Sequence, residues 1–202
     1  MDLLIEFLMR SISAQTLAGL LLLSTAASAE VTVPIVDAPT TQASIPAGVY
    51  WAFGVGAAEL YRTGHDDGND LGIEIEGRIG FALKSPWEVY LSVARDATSS
   101  YGRTSSVWQF EACAQYHVLI RSMVMVYLRG GLGLGISDNF AGAGSSEVDS
   151  GLAELVGIGV ELRLTPQLSI GLEPFYRHAH LSNGGIDVDA HVAGIQLNVA
   201  FY

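Results

Sequence analysis

The chain has 202 residues, of which 50% are hydrophobic and only 15% charged, with a net charge of −11. The apolar content excludes a disordered polymer, and the negative charge argues against nucleic-acid binding, since phosphate contacts need a basic face. Cys113 is the only cysteine, so an intrachain disulfide is excluded. The mean hydropathy is +0.35, which is high for a chain without an apolar run long enough for a membrane-spanning helix.

The first predicted element is a signal peptide over residues 1–29. Leu17–Ala27 is an apolar run too short to span a bilayer, and the three residues 27–29 (ASA) have the small-x-small pattern of a signal-peptidase site. The first eight residues contain two acids, which is unusual for a segment that normally begins with basic residues. Translation from Met9 would remove them, so a start at Met9 is an alternative. We expect Sec-dependent export.

Residues 30–46 are rich in Pro and Thr and lack a sustained period, which indicates a flexible periplasmic leader. Residues 47–202 form the predicted main domain, in which apolar and small or polar residues alternate in eight segments. The alternation is clearest over Leu71–Leu83, where the even-numbered positions are Gly, Ala, Glu or Arg. Because successive side chains of a strand point to opposite faces, this pattern predicts a β-strand.

The other seven segments alternate in the same way. Their apolar faces are Val49, Trp51, Phe53 and Val55; Trp87, Val89, Leu91 and Val93; Trp108, Phe110, Ala112, Ala114, Tyr116 and Val118; Val124, Val126, Leu128, Leu132 and Leu134; Val156, Ile158, Val160, Leu162 and Leu164; Leu168, Ile170, Leu172 and Tyr176; and Ile195, Leu197, Val199 and Phe201. Tight turns are predicted at 84–86, 120–122 and 165–167, with longer loops at 62–70, 96–106 and 137–150. Short turns at one end and long loops at the other are typical of an antiparallel membrane barrel.

The composition of the two faces favours a membrane barrel over a soluble periplasmic ligand-binding barrel, which is the alternative. One face is bulky and apolar, while the other mixes Gly and Ala with Glu, Arg and Gln. If the second face were the outside, the sheet would expose many glycines to water. If it faces a narrow lumen, glycine leaves room for charged side chains, and eight strands leave an interior that side chains can fill. We therefore predict an all-β, eight-stranded antiparallel up-and-down transmembrane β-barrel.

Aromatic residues fall near both ends of the predicted strands, as expected for interfacial girdles. The set near the tight turns comprises Phe81, Trp87, Phe201 and Tyr202, and the set near the long loops comprises Tyr61, Trp108 and Tyr176.

The whole mature chain resembles the small eight-stranded outer-membrane barrels of the OmpA-type transmembrane domain. The terminal strand from Gly194 to Tyr202 alternates apolar residues and ends in Phe201 and Tyr202, like the signal read by the barrel assembly machinery. The resemblance implies a bacterial outer-membrane location, contact with outer-membrane lipid and lipopolysaccharide, and assembly through that strand. We expect a monomer.

Nine charged residues fall on the predicted lumen face: Glu74, Glu76, Arg78, Glu111, Arg129, Glu161, Arg163, Glu173 and Arg177. Opposite charges packed in a lumen are expected to form hydrogen-bonded ion pairs, since an isolated buried charge costs several kcal/mol. The simplest interpretation is a structural plug that blocks a wide pore, and the alternative is a gated ion path.

A second polar group continues the outward face of the last two strands. His178, His180 and Ser182 precede the turn at 183–185, and Asp187, Asp189 and His191 follow it. Hairpin pairing through an Asn-Gly turn brings His180 beside Asp187 or Asp189, with Ser182 close by. A Ser, a His and a carboxylate within reach are the parts of a catalytic triad.

Residues 180–185 (HLSNGG) resemble the active-site motif of the outer-membrane lipid A deacylases. That resemblance implies Ser182 as nucleophile, His180 as general base and Asn183 as an oxyanion contributor, with Asp187 or Asp189 in place of the family's Glu.

Two other interpretations compete with the triad. The polar residues can be an ordinary solvated rim, and the three histidines can bind a metal. An accidental histidine cluster is the commoner case, so we predict neither a metal nor another cofactor. The leading predicted function is a structural, envelope-surface or narrow-channel role, and the alternative is a lipid A acyl-ester hydrolase.

Overall fold

The computed structural model describes residues 47–63, 68–83, 86–100, 103–121, 123–138, 149–183 and 186–202. The predicted signal peptide (1–29) and leader (30–46) lie outside these residues, so both stay predictions. Within the described ranges, no helix is long and apolar enough to cross a bilayer.

Eight strands form one closed barrel in which each strand pairs antiparallel with the next and the last pairs with the first. The strands are β1 (Gly48–Thr63), β2 (Gly68–Ala82), β3 (Trp87–Ser100), β4 (Arg103–Arg121), β5 (Val124–Asp138), β6 (Asp149–Thr165), β7 (Leu168–Asn183) and β8 (Ile186–Phe201). The predicted eight-stranded up-and-down barrel is therefore confirmed.

The alternation along each strand separates an apolar outer surface from a polar interior. On β2, Ile79 is 60% exposed whereas its neighbour Arg78 is 6% exposed. The same inversion runs around the barrel, with Leu, Ile, Val and Phe side chains outside and Glu, Arg, Gln and Ser inside. Such a surface is stable only where hydrocarbon replaces water, and a closed barrel satisfies its backbone groups without water.

The strands extend further at the long-loop end than the sequence predicts. β1 continues to Thr63 and β2 begins at Gly68, so the first predicted loop, 62–70, is mostly strand. The second, 96–106, is also mostly strand, because β3 runs to Ser100 and pairs with β4 from Arg103 onward. Polar composition does not end a strand that has left the bilayer, since the antiparallel ladder continues independently of side-chain polarity. The centre of the third predicted loop lies outside the described residues.

Two local features of the last strands bear on the sites below. At Pro174 the inward and outward phases continue unchanged, with Glu173 and Phe175 buried on either side. Tyr202 does not belong to the predicted outer girdle. It follows the outward-facing Phe201 by one residue and therefore faces inward. Its ring stacks on Tyr50 with centroids 5.6 Å apart, whereas Phe201 stacks on Trp51 at 4.1 Å.

Candidate functional site

The middle of the lumen contains an ion-pair network built around Arg78 on β2, Arg129 on β5 and Arg177 on β7. Arg78 Nη2 donates to Glu76 Oε2 at 2.8 Å and to Glu173 Oε2 at 3.0 Å. Arg129 Nη1 donates to Glu76 Oε1 at 2.9 Å, and its Nε pairs with Glu173. The side chains that form these pairs are all buried, with at most 3% exposure: Arg78, Arg129, Arg177, Glu76 and Glu173.

The third arginine connects the network to two further acids. Arg177 pairs with Glu74, lies 3.1 Å from Glu76 Oε2 through Nη2, and lies 3.7 Å from Glu111 Oε2 through Nε. Neutral donors add to these ion pairs. Tyr127 Oη donates to Glu173, Gln196 Nε2 donates to both Glu76 and Glu173 at 2.9 Å, and Asn198 Nδ2 donates to Glu173 at 3.2 Å. Each buried charge of the network therefore has at least one oppositely charged partner. Single atoms, such as Glu74 Oε2 and Arg129 Nη2, make no hydrogen bond within the described part of the chain.

The structure brings seven of the nine predicted lumen charges into this network and places Glu161 and Arg163 apart from it. Both lie near the short-turn end of β6. Glu161 Oε2 accepts hydrogen bonds from Ser169 Oγ at 3.0 Å and from Tyr202 Oη at 3.1 Å. Arg163 is partly buried, with Nη2 3.4 Å from Met125 Sδ. The separation follows from depth, because Glu161 and Arg163 lie four and six residues further along β6 than Gly157, the register partner of Arg129.

The long-loop half of the lumen contains apolar as well as polar side chains, and sequence reasoning missed the apolar ones. The buried apolar residues there are at most 2% exposed: Leu60, Val107, Leu155, Leu181 and Val192. Each of them occupies the inward position of its strand, which is the signal that could have identified them. Buried polar side chains lie among them, since Val107 pairs with Asp96 on one side and with Ser137 on the other.

The outward polar cluster lies on the hairpin formed by β7 and β8, near the long-loop end of the barrel, where the register places Tyr61 of β1 opposite His191. The register pairs His178 with His191, His180 with Asp189, and Ser182 with Asp187. We call the group His178, His180, Ser182, Asp187, Asp189 and His191 the rim cluster. The predicted outward phase therefore brings these six residues to one face of one hairpin.

Asp189 is the centre of the rim cluster. Its Oδ1 lies 2.7 Å from His180 Nδ1 and 3.3 Å from His178 Nε2, both within hydrogen-bond distance. The hydrogen bond between His180 and Asp189 raises the pKa of His180 and lowers that of Asp189, because each charged form stabilises the other. Of the two carboxylates left open by the sequence, Asp189 is thus the one beside His180.

The other members of the rim cluster differ in what they contact. His178 stacks on His191 with centroids 4.8 Å apart, and its Nδ1 lies 3.9 Å from Glu154 Oε2 on β6. The Tyr176 hydroxyl lies 2.7 Å from His191 Nδ1. Ser182 and Asp187 are exposed, and among the described side chains no hydrogen bond joins Ser182 to His180. The side chain of Asn183, the implied oxyanion contributor, is outside the described part of the chain.

A closed barrel with an apolar exterior and a filled polar lumen defines an integral outer-membrane protein. The chain belongs to the family described as "Outer membrane protein beta-barrel domain", which matches residues 16–201. The bacterial outer membrane is therefore its location.

One solved structure supports this fold. The chain is similar to Neisserial surface protein A, with a TM-score of 0.60 and 17% identity over 76% of this chain and 98% of that one. It is also similar to the attachment invasion locus protein Ail of Yersinia pestis, with a TM-score of 0.41 and 17% identity over 74% of this chain and 97% of that one. The N-terminal barrel of Pseudomonas aeruginosa OprF gives 0.41 and 14% over 73% and 96%. No curated protein matches the sequence.

Proposed function

We propose that the protein is a non-conducting barrel with a structural or surface role in the outer membrane. The observation that carries this proposal is the filled lumen, in which Arg129, Arg177 and Glu76 are fully buried at mid-depth. Leu155 and Leu181 are also at most 2% exposed. An ion that entered this filled interior would lose its hydration shell, which is costly.

Conductance in a planar bilayer tests the proposal. The wild-type protein is expected to give no discrete current steps. A variant with Tyr127, Arg129 and Arg177 replaced by Ala serves as the positive control, because it removes three large buried side chains from the lumen and is expected to conduct. Discrete wild-type steps whose size changes in Arg129→Ala would establish a channel and overturn the proposal. Retained β-sheet circular dichroism shows that each variant is folded.

The proposed partners are lipopolysaccharide around the outer rim and the barrel assembly machinery at β8. Support for the second comes from Phe201, which faces outward with Leu197 and Val199 while Tyr202 turns into the lumen. The outward aromatic available to a recognition factor is therefore Phe201. Phe201→Ser is expected to lower the assembled fraction in membranes, while Tyr202→Ser is expected to leave targeting unchanged.

The pair formed by His180 and Asp189 favours a second candidate function, hydrolysis of an acyl ester of lipid A. In this proposal Ser182 Oγ attacks the ester carbonyl while His180 Nε2 accepts the hydroxyl proton. The sugar alcohol leaves with that proton, and water then releases the fatty acid from the serine ester. Asp189, 2.7 Å from His180 Nδ1, orients the imidazole and stabilises its charged form. The side chains of His180, Ser182 and Asp189 lie on the outer face of the barrel, where a lipid A molecule in the membrane would contact them.

Mass spectrometry of lipid A from expressing cells tests this activity. Loss of one acyl chain in the wild type, and its retention in Ser182→Ala and His180→Gln, is the expected result. Asp189→Asn should reduce hydrolysis strongly, whereas Asp187→Asn is the matched control and should not. Identical acylation in cells with the wild type and with Ser182→Ala would eliminate the hydrolase.

A further inference from the structure

One arginine lies on the otherwise apolar outer face of strands β2 to β5. The outward positions contain a single charged residue, Arg95, over the ranges 71–81 on β2, 87–97 on β3, 108–118 on β4 and 124–136 on β5. The side chain of Arg95 is exposed. The acids and histidines of the rim cluster lie on a different part of the wall, on β7 and β8. Arg95 is therefore an isolated cation on a surface that faces lipid.

The immediate neighbours of Arg95 are apolar. The register places Ile75 of β2 and Trp108 of β4 directly opposite it, and Val93 precedes it on the same face of β3. Ile75 is 46% exposed and Val93 is 41% exposed. Among the described residues, no carboxylate forms an ion pair with the Arg95 guanidinium, whose Cζ lies 5.2 Å from the centroid of the Trp108 ring. Because a charge that faces lipid is stabilised by an opposite charge or by polar surroundings, its anion has to come from outside this part of the protein.

The depth of Arg95 corresponds to the outer boundary of the bilayer. Trp87, which belongs to the aromatic set near the tight turns, is the first residue of β3, and Arg95 is the ninth. A strand needs about 9–11 residues to span the hydrocarbon, and Trp108 belongs to the aromatic set near the long loops. Long loops are extracellular in outer-membrane barrels, and an arginine is tolerated much better at the interface than at the midplane. The guanidinium therefore lies at the level of the headgroups of the outer leaflet.

The chemistry of Arg95 suits a phosphate group. A guanidinium has a planar fork of N–H donors that matches two oxygens of a phosphate, and such charge-assisted hydrogen bonds are strong. The cation–π interaction with Trp108 holds the side chain in place. The N–H donors stay available, since none of them donates to another described side chain. Ile75 and Val93 beside the guanidinium suit the acyl chains of the same lipid.

We propose that Arg95, held by Trp108, binds a phosphate group of lipid A in the outer leaflet. Lipid A has its phosphates on the sugars that carry the acyl chains, so one molecule supplies both an anion at this depth and hydrocarbon over the neighbouring apolar residues. Phospholipid phosphates have the same chemistry, but they belong mainly to the periplasmic leaflet, at the opposite end of β3. The site deepens the proposed contact with lipopolysaccharide and rests on it. It depends neither on the filled lumen nor on the rim cluster.

Native mass spectrometry of the detergent-purified full chain tests the site. The probes are phosphorylated lipid A, the same lipid A after removal of its phosphates, and phosphatidylglycerol. The wild type is expected to bind phosphorylated lipid A about ten-fold more tightly than the dephosphorylated form, as one charge-assisted contact would give. Arg95→Gln should remove this preference. Arg95→Lys should keep part of it, because an ammonium group retains the charge but not the fork of donors.

Arg121→Gln is the matched control, because Arg121 is also exposed but lies at the short-turn end of β4. It should keep the wild-type preference. The site is overturned if Arg95→Gln keeps the preference, or if Arg121→Gln loses it to the same extent. Phosphatidylglycerol that binds as tightly as lipid A, and in the same Arg95-dependent way, would overturn the assignment to lipid A.

Two further outcomes separate this site from the proposal on which it rests. If the wild type binds both forms of lipid A equally well, the phosphate site is overturned and the contact with lipopolysaccharide stands. If it binds neither form, both are overturned. β-sheet circular dichroism verifies folding of each variant.

Discussion

The lumen network and the rim cluster contain the same kinds of residues in opposite surroundings. In the lumen, Arg129 and Glu76 pair with both side chains fully buried, whereas at the rim His180 and Asp189 pair with about half of each side chain exposed. A buried charge that loses its partner cannot be compensated by water, while an exposed one can. The lumen charges therefore depend on their protein partners, whereas the rim charges are also accessible to water.

The largest expected effect comes from removing a guanidinium inside the barrel. Arg129→Met leaves Glu76 and Glu173 with one cation fewer at full burial, which is expected to lower the free energy of unfolding by about 3–5 kcal/mol. The matched control is Arg95→Met on the outer surface, where Arg95 stacks over Trp108 at 5.2 Å. That loss should be only about 0.5–1 kcal/mol. Urea titration in micelles measures both, and equal losses would contradict the distinction between interior and exterior.

An intermediate effect is expected where a glycine makes room for a lumen side chain. A Cβ added at Gly159 on β6 would lie 2.2 Å from Cζ of Tyr127, whereas a Cβ at Gly77 on β2 would meet nothing within 4 Å. Gly159→Ala is therefore expected to cost about 1–3 kcal/mol through displacement of the Tyr127 ring. Gly77→Ala should stay within about 0.5 kcal/mol. If Gly159→Ala is as stable as Gly77→Ala, close packing of the lumen is refuted.

The smallest effect tests the inward turn of the last residue. Tyr202→Phe removes the hydrogen bond to Glu161 and keeps the ring on Tyr50. The expected loss is about 1 kcal/mol in the free energy of unfolding. Tyr116→Phe on the outer surface is the control and should change nothing measurable. Equal stability of the two variants would indicate that the Tyr202 hydroxyl contributes nothing to closing the periplasmic end.

Much of the site was predictable because it depends on phase alone. An inward or outward position follows from counting along a strand, and for that reason His178, His180 and Ser182 are predicted on one face with Asp187, Asp189 and His191. The choice of Asp189 over Asp187 as the partner of His180 could not be made in the same way. It depends on which residue of β8 pairs with His180 and on the rotamers of the side chains. Strand alternation specifies neither.

The lumen shows the same limit. The sequence predicts its charged residues but not that Glu161 and Arg163 lie apart from the arginines, since depth depends on how eight tilted strands are staggered. It also does not predict that Leu155 and Leu181 are buried in the lumen, because strand alternation assigns bulky apolar residues to the outside.

Taken by itself, the sequence determined the number of strands, their antiparallel order and the outward apolar face, because a period of two in a chain without a spanning helix is compatible with few other folds. The tertiary structure decided which side chains meet. It paired Asp189 with two histidines, turned Tyr202 inward and filled the lumen, because closing the barrel brings together residues as far apart in the chain as Tyr50 and Tyr202. Those contacts depend on stagger and packing, which no single strand encodes.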